Sequence, residues 1–300
     1  MPELDEFVAT PGVCSGAVVP VSAIIAVRNE AQNLPRCLES LRDFGQVYVV
    51  DSQSTDNTVE IARSHRAQVV QFHYRGGWPK KRQWAIDSLP LAHDWILLLD
   101  ADESLTPELV SEIRDAIQDP RYNGYHIALH IYFLGRQLRH SGATFRKLSL
   151  FRRGKGHYEC RLREQDVSMA DMEVHEHVVV EGRTANLKAP LLHHNVSSLS
   201  HYIRKHDAYS NWEAKVWLNG NADELRASLS GTQAQRRRWL RRKFFTWPGS
   251  SLAFFLFKYV FRLGFLDGIP GLIYCCFQGI QFFHIKAKIY ELEHAPEAKR

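Results

Sequence analysis

The chain has 300 residues, 45% hydrophobic and 24% charged, with a net charge of only +5. This is ordinary globular composition with enough apolar residues for a sizeable core, in one large or two modest domains. No internal repeat or low-complexity tract is present, and five cysteines without regular spacing argue against a disulfide framework and for a reducing compartment. Residues 1–20 read as an irregular lead-in. Glu3, Asp5 and Glu6, with no long apolar run, do not make a secretory signal.

Residues 21–27 form an apolar run that predicts a buried strand, followed by the polar loop Arg28-Asn29-Glu30. Leu34, Cys37, Leu38, Leu41 and Phe44 then mark one face of an amphipathic helix. Residues 47–50 predict a second strand ending in Asp51. Ser52 to Asp56 supply loop and cap residues for a helix carrying Val59 and Ala62. A third strand is expected over 68–72, a loop over 75–79 and a helix over 80–89. Trp95 to Leu99 is the fourth strand, and Thr106-Pro107 starts a helix with Leu109, Val110, Ile113 and Ile117 on its buried face.

Strand and helix thus alternate four times, the pattern of a parallel doubly wound sheet. Right-handed crossovers bring the ends of such strands to one edge, where open α/β sheets bind ligands. Three of the four strands end in polar or acidic residues: Arg28-Asn29-Glu30, Asp51, and Asp100-Ala101-Asp102-Glu103. In extended chain Asp100 and Asp102 share a face. Two close carboxylates suit a hard divalent cation that also binds phosphate oxygens. No G-x-G-x-x-G follows the first strand, which argues against dinucleotide binding in the oxidoreductase manner.

Residues 24–30, 49–56 and 98–103 stand in the order and at the separations of a motif set. In this the sequence resembles family 2 inverting glycosyltransferases of the GT-A fold. Lys80 to Ala85 and Val174-His175-Glu176 bring it nearer to the branch containing lipopolysaccharide core glucosyltransferases. The resemblance covers roughly residues 20–195 and continues more weakly through 205–210 and 264–268. It implies that Asp51 holds the nucleotide base and that Ala26, Arg28 and Glu30 line the base and ribose pocket. Asp100 would lie near ribose and metal, Asp102 would bind Mg²⁺ or Mn²⁺ bridging the diphosphate, and Lys81 would meet phosphate. Where many members carry two adjacent acids after the second strand, this chain has Asp51-Ser52.

Residues 123–195 predict a mixed β extension on the acceptor side, with strands over 124–133, 147–151, 172–180 and 186–192. Inversion by single displacement needs one general base at the acceptor hydroxyl. By its position in the family motif that base is Glu176, with Glu164 and Asp166 as weaker rivals. Glu176-His177 does not have the spacing of a zinc peptidase. His193 best fits the position of the extra metal ligand that the fold often carries.

Beyond residue 196 a helix over 199–217 is expected to pack across the catalytic domain. Arg236, Arg237, Arg238, Arg241, Arg242 and Lys243 then lead into apolar stretches at 244–257 and 268–283. At about 1.5 Å per residue neither comfortably crosses a hydrocarbon core of roughly 30 Å. They predict interfacial or re-entrant helices on an anionic membrane, or else a buried helical subdomain or dimer interface. No nucleic-acid fold accompanies the arginine run.

The sequence therefore predicts a lead-in (1–20), a GT-A catalytic domain (21–195, divided at 120/121 into nucleotide-binding and acceptor halves) and a helical membrane-associating region (196–300). The resemblance implies transfer of a hexose from a nucleoside diphosphate sugar, expected to be UDP-linked, to a lipid-linked envelope glycan at the cytoplasmic face of the inner membrane. Two alternatives are a polyprenyl-phosphate sugar transferase of the same fold and an inactive membrane-bound sugar-nucleotide-binding protein.

Overall fold

The computed structural model describes residues 18–142, 144–163, 171, 176–194, 198–219, 230 and 247–294. Its first half runs β1 (Val19–Val27), α1 (Leu34–Glu39), β2 (Phe44–Asp51), α2 (Thr58–Ser64), β3 (Gln68–Gln71), α3 (Lys81–Ser88) and β4 (Trp95–Asp100). All strand contacts among β3, β2, β1 and β4, in that spatial order, are parallel. Successive side chains of a strand alternate between the faces of the sheet. Ala23, Ile25 and Val27 join Leu97 and Leu99 in one core with α1, while Ile24 joins Ile96 and Leu98 in another with α3. Both faces are covered, so these strands read as continuous apolar runs.

The predicted first helix is shorter than its apolar spacing suggests. Ser40 Oγ donates to the Cys37 carbonyl at 2.6 Å and competes with the next helical turn. Phe44 accordingly opens β2 rather than closing α1.

The sheet continues through β5 (Glu103–Leu105), β6 (Gly124–Phe133), β7 (Arg136–Gln137), β8 (Phe145–Arg152), β11 (Thr184–Asn186) and β12 (Leu191–His194). Helix α4 (Pro107–Ala116) is capped by Thr106, whose Oγ1 accepts from Leu109 N at 3.2 Å. β8 lies antiparallel between β4 and β6, and β12 lies parallel to β6 and antiparallel to β5. The single strand expected over 186–192 is two. Lys188 N and Ala189 N turn away to the Glu112 carboxylate, and Pro190 has no N–H to donate. Of the strand expected over 172–180, β10 (Val178–Val180) pairs with β9 (Gly156–Tyr158), and 172–175 lie outside the described residues.

Helix α5 (Leu199–Asn219) buries Tyr202 against Phe133 and Phe277, and Trp212 against Leu162 and Val216. It packs against α7 (Gly268–His294), which packs in turn against α6 (Ser250–Leu256). A π-helical turn, Phe257–Phe261, and a 3₁₀ turn, Gly264–Asp267, link those two helices. The basic run at 236–243 lies outside the described residues.

Candidate active site

Strand register places the predicted residues on one sheet edge. Val27 lies opposite Asp51, and Ala26 opposite both Val50 and Asp100. Asp51 is fully buried. Its carboxylate accepts from Ser54 N at 3.0 Å, Gln71 Nε2 at 2.9 Å and the Ser54 hydroxyl. A carboxylate offers about four lone-pair directions, and three are filled here. The loop after β2 is stapled to the loop after β1. Asn29 N donates to Ser54 Oγ at 2.7 Å, Thr55 N to Asn29 Oδ1 at 2.8 Å, and Glu30 N to Thr58 Oγ1 at 2.9 Å. Asn29 sits at φ 55°, a left-handed conformation that asparagine tolerates. Arg28 is exposed and Glu30 half-buried beside this cleft. Burial pushes the Glu30 carboxyl up, with the charges of Asp102 and Asp100 acting the same way.

The strand does not continue to Asp102. Ala101 and Asp102 form a turn, so the two acids do not share a face by strand alternation. Asp100 pairs with Arg82, in a contact shorter than an ordinary hydrogen bond, and lies 3.6 Å from Lys147 Nζ. Burial opposes its charge, yet Arg82, Lys147, Lys205 and His193 together hold it well below the usual carboxylate range. Asp102 faces His193 instead. Pairing of β12 with β5 sets His193 opposite Glu103, and His194 N donates to the Asp102 carbonyl at 2.8 Å. The result is Asp102 Oδ1 and His193 Nδ1 only 3.4 Å apart, both buried and neither with a hydrogen-bond partner.

That pair fits a divalent cation. A carboxylate oxygen and an imidazole nitrogen are both metal donors, and these two buried atoms face each other at ion-pair distance without forming a hydrogen bond. Among the described residues no cluster of three or more such side chains stands ready for a metal. Two protein ligands are still sufficient where phosphate oxygens complete the shell.

Lys81 is buried. Its ammonium donates to the Val27 carbonyl at 2.8 Å and pairs with Asp171 at 3.2 Å, tying α3 to the end of β1. Its neighbour Arg82 is the α3 cation that reaches the acidic edge. Glu176 is also enclosed. Its Oε2 lies 3.2 Å from Lys80 Nζ, its Oε1 accepts from Arg161 N at 3.3 Å, and neither Glu176 nor Lys80 exposes any side-chain surface. The Trp212 ring faces two cations beside Glu176, 4.8 Å from Lys80 Nζ and 5.2 Å from the Arg161 guanidinium. Val174 and His175 of the same motif, and the rivals Glu164 and Asp166, lie outside the described residues.

The sequence profile described as Glycosyl transferase family 2 matches residues 22–178, more than half of the chain. The chain belongs to glycosyl transferase family 2. Along its length the transferase is similar to the lipopolysaccharide core biosynthesis glycosyltransferase LpsC of Rhizobium meliloti. They share 28% identity over 94% of this chain and 95% of that one. It also resembles an uncharacterized glycosyltransferase of Rickettsia felis, at 30% identity over 65% of this chain and 69% of that one. Among solved structures, the mannosyltransferase PcManGT of Pyrobaculum calidifontis, in complex with GDP-Man and Mn²⁺, shares the fold. The TM-score is 0.50, at 13% identity over 90% of this chain and 87% of that one. The architecture is thus GT-A.

Three site cations of the transferase were not legible as site residues. Arg82 and Lys147 flank Asp100, and Lys147 also holds Glu103 at 2.5 Å. Lys205 comes from α5. The Tyr209 hydroxyl beside it and, against the cost of burial, the carboxylates of Asp102, Glu30 and Asp100 hold its ammonium above the ordinary range. A sign was available for Lys205, since Tyr202, Lys205, Tyr209 and Trp212 stand at helical spacing. A lysine inside an apolar helix face has a reason to be there. Lys147 gave no sign, because only the antiparallel insertion of β8 beside β4 brings it to the edge.

Proposed function

We propose that this transferase moves a hexose, with inversion, from a nucleoside diphosphate sugar to a lipid-linked envelope glycan. The observation that carries the reading is the buried Asp102–His193 pair, whose facing atoms make no hydrogen bond, set among Arg82, Lys147 and Lys205 at the carboxyl edge of the sheet. Asp102 and His193 would hold Mg²⁺ or Mn²⁺, and a cation there neutralises charge on the departing diphosphate. Arg82 is paired with Asp100 before the donor enters and is placed to share itself with a phosphate. Asp51 would hold the nucleotide base, and UDP is the expected nucleotide. Whole-length similarity to a lipopolysaccharide core enzyme supports a glycan acceptor. In this reading the acceptor is lipid-linked and the reaction runs at the cytoplasmic face of the membrane.

Glu176 is the proposed base, and its enclosure sets a condition. A general base must come within hydrogen-bond reach of the proton it takes. Glu176 meets that condition only if its cage beside Trp212 opens when the acceptor binds. The closed cage also favours a second reading, transfer to a polyprenyl phosphate, whose oxygen is already ionised and needs no base.

The deciding experiment is calorimetric titration of UDP and GDP, with and without Mn²⁺, into the wild type and Asp102→Ala. Metal-dependent binding that the substitution removes supports the site. A folded protein that binds neither nucleotide sinks the reading.

A further inference from the structure

The C-terminal hairpin is apolar on two sides. Its inner side is packed: Phe254 stacks on Phe282 at 4.3 Å, and a Cβ on Gly279 would stand 3.0 Å from the Ser251 carbonyl. Cys275, Ile285 and Ile289 of α7 are buried with it. The outer side is bare. Ile269, Leu272, Ile280, Phe283 and Tyr290 recur at helical spacing along α7, and all are exposed. The apex is bare as well, with Phe261 77% and Ile269 74% exposed. An exposed apolar patch of this extent marks an interaction surface.

Charge says what the surface meets. Arg262 sits in the apex, and Arg136 and Arg139 stand beside it, all exposed. The Arg136 guanidinium lies 2.9 Å from where a Cβ on Gly268 would be. In sequence, the six cations of 236–243 lead into the same hairpin. A second copy meeting this one apex to apex would set arginines against arginines. A layer of lipid phosphates would complement them, with acyl chains below for the phenylalanines. Among the described residues no single helix is long and apolar enough to cross a membrane; Ser250–Phe261 and Gly264–His294 reach that apolar length only together, bent by 71°.

We infer that the hairpin apex and the outer face of α7 lie in the headgroup–acyl boundary of an anionic phospholipid bilayer, with Arg136, Arg139 and Arg262 in its phosphate layer. The inference rests on the membrane placement proposed above and names the surface that makes it. Asp267 fixes how the enzyme sits there. Its buried carboxylate accepts from Arg139 N at 3.0 Å, His140 N at 3.0 Å and Ser141 Oγ at 2.6 Å. These bolt the apex to the loop between β7 and β8, so the membrane plane and the acceptor half of the sheet are held in one orientation.

The test is flotation of the full chain with phosphatidylcholine vesicles and with vesicles containing phosphatidylglycerol. The wild type, Phe261→Asp/Ile269→Asp and Arg136→Gln/Arg139→Gln/Arg262→Gln are compared, with UDP binding as the check on folding. The wild type should float with the anionic vesicles. The apolar double variant should partition at least about tenfold less, as expected from losing two buried side chains. The arginine variant should lose the preference for anionic lipid. If the double variant floats like the wild type, the hairpin is not the docking surface, although membrane placement through another segment stands. If the wild type floats with neither vesicle, both readings fall. If the wild type is a dimer that the double variant splits without changing flotation, a second copy covers this face and the inference is overturned.

Discussion

Lys80 Nζ and Glu176 Oε2 lie 3.2 Å apart with no exposed side-chain surface on either residue, beside the Trp212 ring. Removing one partner of such a pair leaves an uncompensated buried charge, which costs about 3–5 kcal/mol. Lys80→Met should therefore lower stability by about that amount, while Lys80→Met/Glu176→Gln should recover much of it. Urea unfolding of the variants measures both. Equal loss in the single and the double would show that Lys80 is held by something other than Glu176.

The same pair separates the two acceptor classes. With a glycan hydroxyl acceptor, Glu176→Gln should cut turnover by roughly 10²–10⁴-fold, the usual contribution of general base catalysis. With a lipid phosphate acceptor it should leave turnover nearly intact. Assays with both acceptor types, alongside UDP binding to confirm the pocket, distinguish them. Retained transfer to a glycan hydroxyl would remove Glu176 from the role.

Asp102 and His193 should act together. Asp102→Ala and His193→Ala should each abolish the Mn²⁺-dependent part of UDP binding and leave the metal-independent part. The double variant should do no more than either single, because one ion is lost once. Additive losses from the two substitutions would mean that the residues serve separate functions.

The fold was legible because its signals are local. Ile24 and Ile25 read as a strand buried on both faces because each does face a core. Asp51 and Asp100 stood out because an apolar run stops at each. His193 follows an apolar strand in the same way. The departures came from long-range pairing. Pairing with β12 turns Glu103 into a buried strand residue, although in sequence it is only the third acid after an apolar run. The resemblance points to Lys81 as the phosphate-side cation of its helix, but the start of α3 aims it at the Val27 carbonyl and gives the outward direction to Arg82. Neighbouring helix positions point about 100° apart, and the helix pattern does not say which one meets the sheet edge.

The Arg82–Asp100 pair should be visible in acid stability. The cations around Asp100 hold its folded carboxyl far below the 3.8 of an unperturbed aspartate. A depressed folded value contributes stability that is present above the unfolded value and is lost as pH falls toward the folded one. Arg82→Met removes part of this contribution. The gap in urea midpoint between wild type and variant should thus be widest at neutral pH and narrow below about pH 4. A gap that does not change with pH would assign Arg82 a packing role instead.

Gly271 tests the hairpin itself. It lies in α7, where replacing glycine by alanine ordinarily stabilises a helix by about 0.8–1 kcal/mol. Here a Cβ would stand 2.4 Å from the Gly264 carbonyl oxygen and 2.5 Å from Asp267 Cβ. Neither is the end of a flexible side chain, so relief requires moving the backbone of the apex. Overpacking of this kind costs about 1–3 kcal/mol and should outweigh the propensity gain. Gly271→Ala is therefore expected to lower thermal stability. It should also lower vesicle binding, since the shift passes through Asp267 into the loop at Arg139 and Ser141. Leu272→Ala, one position along on the exposed face, should leave thermal stability nearly unchanged. A Gly271→Ala protein that melts higher than the wild type would show that α7 does not press on the apex as tightly as this packing requires.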